Sequence, residues 1–213
     1  RRHLPPEIEL CAVQLPGRET LADMRPLRTI AEIVAALVPR ISAELGLPYA
    51  FFGHSMGAFV CFEVARTLAQ LGLPPPTLCV VSARRAPQLP QRAPLHALPE
   101  RELVREIRAF GGTPEEVLAD RELMARLLPL LRADLEATES YRFRPGNPLS
   151  SPLLALGGAN DGSVDLNGLE AWHPHTTSEF QMRIFEGGHF FIKTAQASVL
   201  STIAQQLSAH SAT

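Results

Sequence analysis

Residues 49–71, YAFFGHSMGAFVCFEVARTLAQL, constrain this chain more than any other stretch. An apolar run of strand length enters Gly53-His54-Ser55-Met56-Gly57 and leaves as a helical pattern. A surface loop is not apolar on both sides, and a buried strand does not carry two glycines about a serine. A strand that turns abruptly into a helix satisfies both conditions. Small flanking residues let such a turn close, and the serine is held strained with its hydroxyl exposed, as in the nucleophile elbow G-x-S-x-G. The competing reading keeps the glycine-rich turn and makes Ser55 only a helix cap.

The rest of the chain repeats the alternation. Strands are expected at IELCAV (8–13), YAFFG (49–53), TLCVVS (77–82), PLLALGG (152–158) and FQMRIF (180–185). Most are continuous apolar runs, the pattern of a parallel sheet covered on both faces. Helices are expected at 28–45, 57–71 and 195–209, which together with the strands specify an α/β fold. From about 95 to 145 the rhythm breaks into helical sequence alone. Thr113 with Glu116 forms a capping-box pattern and Pro114 suits a first helical position. Leu123, Leu127, Leu131 and Leu135 recur every fourth residue as one apolar stripe, widened by Leu128 and Leu130, and Pro129 is expected to kink or break that helix. The 213 residues therefore read as a single domain with a core over 1–95 and 146–213 and a helical insertion over 96–145. The bland reading of that insertion is a helical hairpin packed on the core. The sharper one is a cover over the end of the sheet.

Composition excludes several classes of function. A net charge of −2 and the absence of a basic run give no basis for binding nucleic acid or an anionic membrane. No apolar stretch reaches transmembrane length, and RRHLPPEIEL lacks the apolar core of a signal peptide. Cys11, Cys61 and Cys79 each lie in apolar sequence without a C-x-x-C pair. They are expected to be buried reduced thiols, which fits a cytoplasmic protein.

A nucleophilic serine needs a base, and the base needs an orienting acid. In folds with this elbow the chain order is serine, acid, histidine. ANDGSVD follows the PLLALGG strand and offers Asp161, and EGGHFF follows the FQMRIF strand and offers His189. Both stand just beyond a strand's C-terminal end, where open α/β sheets place their sites. Gly187 and Gly188 let the backbone turn before the histidine. Asp165 reads instead as a helix cap, and Glu186 as a solvated side chain. His3 and His210 are near the termini, His54 is inside the elbow and expected to point away, and His96 lies in a proline-rich approach. His173 and His175 form H-x-H in a polar segment without a third ligand nearby, so they are expected in a surface loop and no metal site is expected.

The chain resembles the type II thioesterases of polyketide synthase and non-ribosomal peptide synthetase systems, which are α/β-hydrolases. The resemblance is carried by CAVQLPGRE (11–19), FFGHSMGA (51–58), LPERELVREIRAFGGTPEEVLAD (98–120), LRADLEATESYR (131–142), LGGANDGSV (156–164) and EGGHFFI (186–192). It runs through nearly the whole chain in order, and the insertion segment is not shared with hydrolases in general. It implies that Ser55, Asp161 and His189 are a catalytic triad and that the insertion is a lid over an acyl chamber. It also implies a strand and a His-x-Gly-Gly-type loop ahead of CAVQLPGRE, which these 213 residues do not contain. Only one oxyanion-hole donor, the backbone N–H of Met56, is then located in the sequence.

The resulting expectation is hydrolysis of acyl thioesters borne on phosphopantetheine of acyl or peptidyl carrier domains, as an editing activity without metal or dissociable cofactor. Two alternatives stay open. An acyltransferase can also carry G-H-S-x-G but works with a Ser-His pair, which Asp161 argues against. A non-catalytic module that binds carrier domains would fail to label at Ser55 with a fluorophosphonate.

Overall fold

The computed structural model describes residues 4–90 and 93–211, so His3, Gln91 and Arg92 lie outside the described residues. Four parallel strands form its sheet, in the order β1 (Ala50–His54), β2 (Leu78–Ser82), β3 (Leu153–Gly158), β4 (Phe180–Phe185). Register places Gly53 opposite Val81 and Val81 opposite Ala155, so the strand ends lie side by side.

The apolar runs divide between the two faces with period two, as pleating requires. Cys79, Val81, Leu153 and Ala155 pack in the core with α1 (Ile30–Ala43) and α2 (Met56–Gln70). Leu78, Val80, Leu154 and Leu156 pack on the opposite face against Phe191 and Val199, from α7 (Phe191–Thr194) and α8 (Gln196–Ser211). Helices thus cover both faces of β2 and β3, and all residues of these two strands are buried. Helix α1 starts at a capping box in which the Thr29 hydroxyl accepts from the Glu32 N–H and the Glu32 carboxylate accepts from the Thr29 N–H.

Residues 8–13 are a correction to the sequence reading. They form no strand, and Leu10 and Val13 are 64% and 59% exposed. A strand exists only by pairing, and among the described residues β1 pairs with β2 alone. Cys11 is accordingly exposed rather than buried, whereas Cys61 and Cys79 are buried free thiols as expected.

Between β2 and β3 the chain forms α3 (Glu100–Phe110), α4 (Glu115–Ala119) and α5 (Arg121–Glu139). These helices share a small core of their own, Leu103, Ile107, Leu118, Met124 and Leu128. Two expectations are corrected here, and of the kink or break expected at Pro129 the break is. Thr113 and Glu116 form no capping box, because Pro114 itself occupies the cap position of α4. Helix α5 runs through Pro129 without a break; Pro129 and Ala125 are both exposed, so the carbonyl that loses its partner faces water. The inward face of α5 is Met124 and Leu128, with Leu131 and Leu135 partly buried behind them, whereas Leu123 is 42% exposed. A strict four-residue repeat drifts about 40° per step around a 3.6-residue helix, so the stripe cannot hold one face.

Candidate active site

The sharp turn at the end of β1 follows from Gly53. A Cβ there would lie 2.0 Å from the Gly57 carbonyl oxygen, so only glycine lets the strand approach the first turn of α2. Ser55 occupies the corner at φ 54°, ψ −114°, a strained conformation for a residue with a side chain. Its N–H donates to the Ser82 carbonyl at 2.8 Å, which fixes the corner to the end of β2. Met56 opens α2, so its N–H belongs to the first helical turn, whose donors have no acceptor within the helix.

Asp161 lies in the turn after β3, and His189 in the turn after β4 where Gly187 takes φ 120°. The two turns are stapled together: Ala159 N–H donates to the Phe185 carbonyl at 2.8 Å and Asn160 N–H to the Gly187 carbonyl at 2.9 Å. These contacts bring the three sequence candidates into one line. His189 Nε2 is 3.0 Å from Ser55 Oγ, and His189 Nδ1 is 2.9 Å from Asp161 Oδ2. Both His189 and Asp161 are buried. Burial pushes the Asp161 carboxyl up, but hydrogen bonds from His189 and Ser163 outweigh it and hold the group below the ordinary carboxylate range. The rejected acids are elsewhere. Asp165 caps α6 (Leu166–Glu170), accepting from the Gly168 N–H at 2.7 Å, and Glu186 is exposed.

His54 turns toward β2, its Nδ1 2.9 Å from Ser82 Oγ, and its ring stands 5.3 Å from that of His189. Burial, reinforced by His189, lowers its pKa from 6.5 to about 4, so the ring is neutral at pH 7. His175 corrects the surface-loop expectation. It is buried among Phe62, Phe143 and Trp172 with Nε2 2.6 Å from Gln88 Oε1, while His173 is exposed and stacks on Phe180. Ser163 and Ser82 are polar neighbours of the site that motif reasoning passed over. Asp-x-Ser in NDGSV was the signal for Ser163, since an aspartate commonly accepts from the backbone two residues on. Ser82 had none, because only strand register brings it to His54.

The three residues open into a cavity of about 1090 Å³. Its floor is the strand ends, including His54, Ser55 and Met56, and its far wall is the insertion, including Ile107, Phe110 and Leu131. Phe110 of α3 approaches the His189 ring at 5.3 Å between centroids. The arrangement suits proton transfer from a serine hydroxyl beside a chamber that admits a bulky, partly apolar group.

Comparison with known proteins agrees in kind. The thioesterase domain family model matches residues 1–207. Gramicidin S biosynthesis protein GrsT of Aneurinibacillus migulanus is 41% identical over 204 residues, covering 95% of this chain and 80% of that protein. Thioesterase PikA5 of Streptomyces venezuelae is 38% identical over 208 residues, covering 96% of this chain and 73% of that protein. Among solved structures, the type II thioesterase BorB from the borrelidin biosynthetic cluster superposes with a TM-score of 0.84 at 40% identity. That match covers 92% of this chain and 80% of the other.

Proposed function

The chain belongs to the thioesterase family, with its α/β-hydrolase fold, and from that premise we propose that it hydrolyses acyl groups from the phosphopantetheine thiol of acyl or peptidyl carrier domains. The observation that carries the reading is the Ser55–His189–Asp161 line, with separations of 3.0 and 2.9 Å, at the floor of a chamber of about 1090 Å³. Ser55 Oγ adds to the thioester carbonyl carbon as His189 Nε2 takes its proton. The Asp161 carboxylate faces the imidazolium that forms, and the Met56 N–H at the start of α2 meets the oxyanion. The C–S bond then breaks, and the leaving sulfur takes the proton from Nε2. An acyl ester on Ser55 and a free carrier thiol result. Water repeats the sequence: Nε2 takes its proton, the oxygen adds to the ester, and the C–Oγ bond breaks as Ser55 regains a proton. A carboxylic acid leaves, and no metal or dissociable cofactor enters the balance.

In this reading the insertion is a lid. Its separate core and its place across the cavity from Ser55 support that role. Among the described residues no helix is long and apolar enough to cross a membrane. The free thiols of Cys61 and Cys79, with sulfurs 4.0 Å apart, fit a reducing cytoplasm.

The test is hydrolysis of an acyl group loaded on a phosphopantetheinylated carrier domain, followed by intact-protein mass spectrometry. Wild-type protein is expected to restore the free thiol, and Ser55→Ala to leave the acyl group in place. An acyl carrier untouched by the wild type, or cleaved equally by Ser55→Ala, overturns the reading.

A further inference from the structure

We propose that Ser163 is a positioning residue for the His189–Asp161 pair, a fourth member of the hydrogen-bonded line on which hydrolysis depends. The inference rests on the triad reading above and concerns a residue outside the elbow, acid and base.

Ser163 meets both partners. Its N–H and its hydroxyl donate to Asp161 Oδ1 at 2.8 and 2.5 Å, and its Oγ lies 3.0 Å from His189 Nδ1. Asp161 Oδ2 lies 2.9 Å from the same Nδ1. The proton positions follow from elementary inventory. An ionised carboxylate only accepts, so the single hydroxyl proton of Ser163 points at Oδ1. The Ser163 oxygen can then only accept from Nδ1, and Nδ1 must carry hydrogen. That hydrogen is shared between Asp161 Oδ2 and Ser163 Oγ. The remaining ring nitrogen, Nε2, is left bare and faces Ser55, the tautomer a general base requires.

Two consequences separate Ser163 from a bystander. With two acceptors in reach, the Nδ1–H is tethered at two points, so the ring resists swinging about its Cβ–Cγ bond. Two donors on Oδ1 also stabilise the charged carboxylate, so Asp161 stays ionised although its side chain is almost wholly buried. A serine serving only the local aspartate turn would show the contacts to Oδ1 but not the one to His189 Nδ1. The Asp161-Gly162-Ser163 turn delivers the side chain by local geometry alone, which makes the feature independent of the lid.

Three proteins test this on a carrier-bound acyl thioester: Ser163→Ala, Ser163→Thr and Ser55→Ala, each with its thermal midpoint recorded. Ser163→Ala is expected to lower kcat by about tenfold to a hundredfold, the scale of a lost hydrogen bond to a charged group, with KM within about twofold. Its Nδ1 proton resonance should move downfield, because the bond to Asp161 is no longer shared and the carboxylate loses a donor. Ser163→Thr keeps the hydroxyl and should restore both readouts. Ser163→Ala with wild-type kcat and an unmoved resonance overturns the inference, as does a loss of kcat that follows only a lowered thermal midpoint. If Ser55→Ala is inactive while Ser163→Ala matches wild type, this inference alone fails. If Ser55→Ala retains activity, the triad reading fails with it.

Discussion

The floor and the roof of the cavity are built on different principles. The floor is three turns at the ends of β1, β3 and β4, set by strand register and stapled by backbone hydrogen bonds between non-adjacent segments. The roof is α3–α5, which share five buried apolar side chains of their own; α5 also reaches the main core through Ala137 and is tied to the body by polar contacts. Arg18 pairs with Asp134 of α5 at 2.5 Å, and Leu95 N–H donates to Glu139 at 2.8 Å. A floor fixed by the sheet keeps 3.0 Å distances, whereas a roof whose α3 and α4 rest on a small core of their own is expected to loosen without disturbing them. The candidate triad belongs to the first region, and the lid role proposed above would give access and size selection to the second.

The contrast breaks most visibly at Ser55 and His189. Ser55→Ala and His189→Ala should each lower kcat by on the order of 10⁶, because triad members act as a unit. The thermal midpoint should hardly move. Appreciable turnover in either variant, measured on an acyl carrier, would remove the floor from the mechanism. Next in size is Asp161→Asn, expected to lower kcat by about 10⁴ through the wrong imidazole tautomer. Asp165→Asn, four residues on, should leave turnover alone, and a reversal of the two effects would reassign the acid.

The roof should respond in stability rather than chemistry. Leu103→Ala or Leu128→Ala removes a buried side chain from the small core and should cost about 2–5 kcal/mol there. Hydrogen exchange should quicken over residues 100–139 while β2 and β3 stay protected. In the wild type the same helices should slow when an acyl phosphonate is attached to Ser55. Uniform exchange across both regions would make roof and floor one cooperative unit.

A smaller effect comes from the body beneath the floor. Burial, with Arg66 nearby, lowers the pKa of His175 from 6.5 to about 4. The unfolded chain thus binds a proton in a range where the folded one does not. Stability from this group is complete above about pH 6.5 and falls as pH drops toward 4. His175→Asn should flatten that part of the thermal midpoint–pH curve, and an unchanged slope would assign the acid sensitivity elsewhere. The smallest change expected is Asp165→Ala, about 1 kcal/mol by chemical denaturation for a lost helix cap.

The two regions were unequally legible in the sequence. Ser55, Asp161 and His189 each stand in a local context of strand, turn and glycine that a short window contains, so their meeting follows once the strands are parallel. The four observed strands were legible for the same reason. What failed depended on distant partners or on rotation about a helix axis. Residues 8–13 have strand composition but, among the described residues, no strand pairs with them. His175 is buried by Gln88 and by the rings of Phe62 and Phe143 from two other segments, neither visible in H-x-H. The expected α5 stripe holds at Leu131 and Leu135 and fails at Leu123, because a leucine repeat of four is not a helical period. Ser163 was overlooked although its turn is local, since a lone serine beside an aspartate has many ordinary meanings.

The pairing of β2 with β3 has a consequence for how the chain reaches this structure. Register sets Val81 against Ala155, partners separated in sequence by the whole insertion. Closing so long a loop is entropically unfavourable and slow while the intervening chain is extended. The small core shared by α3–α5 is assembled from contacts within the insertion, so it is expected to form early and shorten the distance the strand ends must search. If the insertion serves as a folding scaffold in this way, its cavity variants should slow refolding of the sheet as well as loosen the roof, which stopped-flow fluorescence of the buried Trp172 would read.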